Sequence, residues 1–145
     1  MREILFRGKR ADNGEWVYGC LISIEASNIK TTDGKINQRV CCITKPYIPN
    51  DADGFDLALY RVIPETVGQY TGLTDKNGTK IFEGDILLVD EGETYEMRVT
   101  AEMQSGCWLI FEGKNNRGFL AIATKHSKVI GNIHDNPELL KEGEG

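Results

Sequence analysis

Residues 95–103 alternate strictly. Tyr95, Met97, Val99, Ala101 and Met103 are apolar, and Glu96, Arg98, Thr100 and Glu102 between them are polar. Successive side chains of an extended chain point to opposite faces, so this spacing predicts a strand with one row on a core and one in water. A helix would scatter both rows around its circumference. Ser105-Gly106 reads as a tight turn, and residues 107–111 are apolar on both faces, which predicts a strand covered on both sides. The glycine- and asparagine-rich segment 112–118 reads as a hairpin loop, 119–124 as a returning strand and 128–133 as a last one.

The first third has the same style. Residues 4–6 predict a short strand, and Asn13-Gly14 is a hairpin signal because both residues tolerate positive φ. Trp16, Tyr18, Cys20, Ile22 and Ile24 then fall on one face of a long strand. Asp33-Gly34 marks a turn before a strand over 39–44, and 46–56, with two prolines and clustered aspartates, reads as a long loop. Helical signals are scarce. The best is 135–141, where Asn136 suits the cap, Pro137 the first helical position and Glu138 the positive helix end. The expectation is a mainly β chain of antiparallel hairpins, with a small SH3-like barrel in the C-terminal half and one short C-terminal helix. Its expected organisation is an N-terminal β-hairpin module over 1–63, a barrel module over 64–140 and a flexible tail over 141–145.

Composition changes this picture little. A chain of 145 residues with 40% hydrophobic and 27% charged residues suits a globular protein, as one domain or two small sheet modules. The net charge of −5 disfavours nucleic acid as a partner, because a phosphate-binding surface needs an excess of cations. No run is long enough to span a bilayer, and the opening MREILFRGKR has charges inside its only apolar segment. No membrane association and a cytoplasmic location are expected. The four cysteines, Cys20, Cys41, Cys42 and Cys107, form no C-x-x-C pair, and adjacent Cys41 and Cys42 would point to opposite faces of a strand. They are expected as buried free thiols, with His126 and His134 as ordinary polar residues rather than zinc ligands.

The stretch KIFEGDILLV, residues 80–89, sets Glu83 and Asp85 either side of Gly84. Asn77-Gly78 suits a reversal, residues 79–82 a short strand, and Gly84 a bulge or left-handed residue. Asp85 is then placed to accept backbone N–H groups and hold the turn. As a catalytic pair the two carboxylates would need to flank a substrate with their pKa values pushed apart, and the intervening glycine argues against a shared face. No catalytic residue, metal site or cofactor is assigned. Asp51, Asp53 and Gly54 resemble part of an EF-hand loop, but that register puts Pro49 and Tyr60 where carboxylates are required. Trp16, Tyr18, Tyr70, Phe82 and Trp108 would make a stacking platform only beside dense basic residues, which they lack.

Three segments together resemble one known family: 64–89 (PETVGQYTGLTDKNGTKIFEGDILLV), 1–8 (MREILFRG) and 129–140 (VIGNIHDNPELL). They are similar to the YopX family, small proteins found in phages and prophages. Residues 11–61 and 90–128 contribute little to the match, and Thr74 and His134 stand where the family varies. The resemblance implies a β-rich fold, a phage-related origin and no defined reaction. Its motif positions are Gly68, Tyr70, Gly72, Asn77, Gly78, Glu83, Gly84 and Asp85, all read as turn-building residues.

The expected function is that of a phage or prophage accessory protein, non-enzymatic, working through an unidentified protein partner and as a homo-oligomer that covers strand edges and the strand at 107–111. One alternative is nucleic-acid binding through a stripe of Lys9, Arg10, Lys114, Arg117, Lys125 and Lys128. Another is a metal-assisted hydrolase or nuclease using Asp51, Asp53, Asp56, Glu83 or Asp85.

Overall fold

The computed structural model describes residues 1–26, 38–47, 56–90, 92 and 96–141. The turn at Asp33-Gly34, residues 48–55 with Asp51 and Asp53, Tyr95 and the tail over 142–145 lie outside them. Among the described residues the chain is mainly β, with two antiparallel sheets and one short α-helix. No described helix is long and apolar enough to cross a membrane. The chain forms two compact units, Ile4–Gln69 and Met1–Glu3 with Tyr70–Gly145.

In the first unit, β1 (Phe6–Lys9), β2 (Trp16–Ala26), β3 (Gln38–Tyr47) and β4 (Asp56–Val62) pair in the order β4-β3-β2-β1. The hairpin at Asn13-Gly14 closes through Arg10 N–H donating to Glu15 O at 2.8 Å, with Gly14 at φ +73°. Val17, Cys41, Ile43 and Val62 form the core, with Phe6, Leu21 and Tyr60 against it. The inner row of β2 is therefore Val17, Gly19 and Leu21, and the row from Trp16 to Ile24 faces outward. That placement also corrects the thiol expectation: Cys41 is buried, but Cys20 is exposed because it sits on the outward row, and Cys107 is exposed too.

The sheet of this unit curls. After β1 the chain returns to β4 through a single bridge between Arg10 and Val62, flanked by Ala11 N–H to Arg61 O and Ile63 N–H to Lys9 O. The strands approach closely at this bridge, where a Cβ on Gly8 would lie 3.0 Å from Val62 Cβ, and again in the β2–β3 pair. A Cβ on Gly19 would lie 2.0 Å from the Thr44 carbonyl oxygen, inside any allowed contact.

In the second unit β6 (Lys80–Phe82) pairs with the later part of β5 (Gly68–Thr74). β7 (Asp85–Asp90), β8 (Glu96–Gln104), β9 (Cys107–Glu112), β10 (Asn115–Phe119) and β11 (Ser127–Asn132) form a five-stranded sheet in the order β10-β9-β8-β7-β11. This sheet is open, with β10 and β11 at its edges, and is not a closed SH3-like barrel. Met97, Val99 and Ala101 of the alternating strand join Ile81, Leu87, Val89, Ile110 and Leu120 in its core, whereas Met103 is exposed. Leu109, Ile110 and Phe111 are all buried, so the two-sided strand finds its cover within the chain.

Three local readings change. The expected loop over 112–118 is a short turn, since β9 runs to Glu112 and β10 starts at Asn115. The expected strand over 119–124 ends at Phe119, and α1 (Leu120–Ala123) follows. Leu120 and Ala123 are buried three residues apart, as one helix face requires, but four residues are too few to show that period in a sequence. The C-terminal helix is a single 3-10 turn, Pro137–Leu140, and Asn136 makes no side-chain cap. Its Oδ1 instead accepts Asn132 N–H at 3.3 Å.

Gly19→Ala is expected to destabilise the protein by about 3 kcal/mol, because backbone must move to admit one methyl. Gly14→Ala, strained only in φ, is expected to cost about 1 kcal/mol. Urea unfolding of both variants checks the ranking.

Candidate functional site

The motif of residues 68–85 is a set of hydrogen-bonded bends. Gly68 is buried in β5 opposite Arg7, and Gly72 at φ +83° lies where the β5–β6 register shifts. Tyr70 packs against Phe82 across the pair, ring centroids 5.6 Å apart and tilted by 44°, so these two rings cover each other rather than offering a platform. Trp16 lies under Arg7 and Lys9, 4.7 and 5.6 Å from its ring centre.

The turn at Asn77-Gly78 is organised by a residue that sequence reasoning missed. Asp75 is buried, and its Oδ1 accepts the N–H groups of Asn77 and Thr79 at 2.8 and 2.9 Å. Its Oδ2 accepts Val129 N–H at 2.9 Å, from β11. Burial alone would push this carboxyl up, but the N–H groups of Val129, Thr79 and Asn77, with Lys76 nearby, outweigh it and hold it below the usual carboxylate range. An aspartate two residues before Asn-Gly is a legible turn signal. Its bond to a strand 54 residues further on is not.

Gly84 takes φ +84°, donates to Ala101 O and accepts from Ile133 N–H, each at 2.9 Å. Asp85 is 2% exposed, and its Oδ2 accepts Phe82 N–H at 2.8 Å. Glu83 is half-buried. Burial, and after it the Glu102 carboxylate, push its carboxyl above the ordinary range, with Met103 N–H acting in the opposite direction. The two carboxyls thus serve different neighbours: Asp85 its own turn, Glu83 the border of β8. Among the described residues, no group of three or more His, Cys, Asp or Glu side chains is placed to hold a metal ion.

A second knot was also missed, although its density of Asn and Asp is visible in 132–136. Asn132 Oδ1 accepts the N–H groups of His134 and Asp135 at 3.0 and 2.9 Å, and its Nδ2 donates to Asp135. Gly131 makes room for this, since a Cβ there would lie 2.5 Å from Asn136 Oδ1.

Among the described residues, two surfaces stand out as places for chemistry or contact. One is a cleft of about 790 Å³ on the five-stranded sheet, lined by Arg98, Thr100, Glu102, Glu112, Lys114 and Arg117 with Leu88 and Leu139. Arg98 donates to Leu139 O at 3.0 Å and Arg117 pairs with Glu112, so much of its charge is already spent internally. The other is the outer face of β2, β3 and β4. By register, Cys20, Thr44 and Leu59 share this face, as do Ile22, Cys42 and Arg61, and Pro46 with Leu57. Ile24, Leu57 and Leu59 are 56%, 59% and 61% exposed, and Tyr18 and Ile22 are exposed beside them. Aliphatic side chains gathered on one sheet face and left in water make that face a candidate contact surface.

These features define a small β protein with two sheet units, tight backbone-binding carboxylates and an exposed apolar face. The chain belongs to the YopX family: the family model described as YopX protein matches residues 5–141. Among solved structures it is similar to protein EF1440 from Enterococcus faecalis, with a TM-score of 0.60 and 24% identity over 97% of this chain and 99% of that one. That likeness shows the fold. No curated protein matches the chain.

The two shifted carboxyls give opposite pH dependences. Asp75, depressed in the fold, stabilises above its unfolded pKa of about 3.9, and that stability is lost as pH falls through the folded value. Glu83, raised in the fold, binds its proton more readily when folded, so stability falls as pH rises through the weakly acidic range. Asp75→Asn turns an N–H toward Val129 and is expected to cost about 2 kcal/mol near neutral pH, shrinking the loss at acid pH. Glu83→Gln is expected to flatten the weakly acidic slope. Chemical denaturation at a series of pH values separates the two.

Proposed function

We propose that the protein is a non-enzymatic accessory protein of phage or prophage origin that works by holding another protein surface against the outer face of β2, β3 and β4. The observation behind this reading is the exposure of Ile22, Ile24, Leu57 and Leu59 on one sheet face. Burying such side chains is favourable by about 25 cal/mol per Å² of apolar surface, and water is their poorest neighbour. The phage origin rests on the family. Of the carboxylates that invited a catalytic reading, Asp85 accepts Phe82 N–H within its own turn, and Glu83 lies against Met103 N–H and the Glu102 carboxylate.

Self-association is one form this contact can take. Its original warrant, cover for the strand at 107–111, is replaced by the apolar face, since Leu109–Phe111 are buried within the chain. The nucleic-acid reading is less well supported. Arg10 pairs with Asp12 and Arg117 with Glu112, while Lys114 and Lys128 sit toward opposite edges of the open sheet. A phosphate backbone needs several free cations along one track.

A photo-crosslinking residue at position 22 or 59, in host cells, is expected to yield covalent adducts with protein. The same residue at exposed Ala121, on α1, is the control. Adducts no stronger at 22 and 59 than at the control would overturn the reading.

A further inference from the structure

Charge on the apolar face narrows what can cover it. By register, the described side chains of this face are Trp16, Tyr18, Cys20, Ile22 and Ile24 on β2, Val40, Cys42, Thr44 and Pro46 on β3, and Leu57, Leu59 and Arg61 on β4. Arg7 and Lys9 extend it on β1, opposite Tyr18 and Trp16. In a chain of net charge −5, the described residues of this face include three cations and no carboxylate. Arg7 is buried over Trp16, with Lys9 also against that ring. Arg61 is different: it is exposed, and its guanidinium has no ion-pair or hydrogen-bond partner among the described residues.

Size decides between occupants. Residues 18–24 span about 20 Å along the strand, and the outer strands of three lie about 10 Å apart. That is on the order of 200 Å² in projection, and the twelve described side chains of β2, β3 and β4 on it are fewer than the roughly 20–30 residues a side of a standard stable interface. A second copy would also set Arg61 against the same positive face, with no anion to meet it. Nucleic acid fits less well, because Ile22, Leu57 and Leu59 around Arg61 are aliphatic and Tyr18 is a single exposed ring among the described residues of this face, where stacking needs several. One helix or strand of a partner protein matches the dimensions.

We propose that this face binds a short amphipathic acidic segment of a partner protein, its aliphatic side chains on Ile22, Ile24, Leu57 and Leu59 and a carboxylate on Arg61. The proposal rests on the interaction reading above and names the partner's chemistry. A planar guanidinium gives a carboxylate two parallel hydrogen bonds, and the surrounding aliphatic groups exclude water from that pair.

The test uses full-length protein and a displayed library of random peptides, followed by affinity measurement with labelled peptides. Enriched peptides are expected to carry Asp or Glu flanked by aliphatic residues. Their affinity is expected to fall about tenfold in Arg61→Gln, to recover in part in Arg61→Lys, and to be lost in Leu59→Asp, with unchanged circular dichroism in each. The proposal is overturned by an absence of enrichment, by enriched peptides without carboxylates, or by indifference to Arg61→Gln. Displacement by single-stranded DNA, or a dimer that Leu59→Asp dissolves, also overturns it. Crosslinked protein adducts in cells alongside any of these results would leave the interaction reading standing and remove only the acidic partner.

Discussion

The Asp75 carboxylate ties its own turn to β11, beside the backbone bond from Lys76 N–H to Ser127 O. One oxygen gathers the N–H groups of its own turn, and the other takes Val129 N–H on β11, an edge strand. A buried anion bound by several backbone donors is favourable only when all of them are present together, so the turn and the strand form as one feature. From that joint the chain enters β6, reverses at Gly84 and becomes β7, the strand beside β11 in the sheet. Gly84 then receives Ile133 N–H, and Asp85 stands in register with Asn132. An ion pair between Lys80 and Glu3 brings in the amino terminus.

This explains why the family resemblance lies where it does. Its three segments, 1–8, 64–89 and 129–140, are separated in sequence, yet they supply both sides of these bonds. The resemblance follows a backbone framework, which needs glycine at left-handed positions and short acceptors at fixed places. The apolar face lies in 16–61, outside the three segments whose motifs carry the resemblance, although the family model spans it as well. On the proposed reading, the framework is the shared part and the face is where partner choice resides.

Much of the strand content was legible because period two survives wherever one face is buried, as Met97, Val99 and Ala101 demonstrate. The outward row of β2 shows the limit of that rule. Alternation places Trp16 to Ile24 on one side, but Ile22 and Ile24 look like core residues, and only the packing of Val17 and Leu21 reveals which side is inner. The short α1 was illegible for lack of length, and Asp75 for lack of a local partner: its decisive bond is non-local. Asn136 was read as a helix cap because cap and turn chemistry use the same side chains. Glu83 and Asp85 drew attention as a pair, yet burial and neighbours give them separate tasks.

The most direct measurement is a carbon-detected NMR titration of the Asp75 side-chain carboxyl, read together with the amide proton of Val129. A midpoint below the ordinary aspartate value, with the Val129 amide shifting at the same midpoint, is the predicted result. A midpoint at or above that value, with Val129 indifferent to it, would contradict the account.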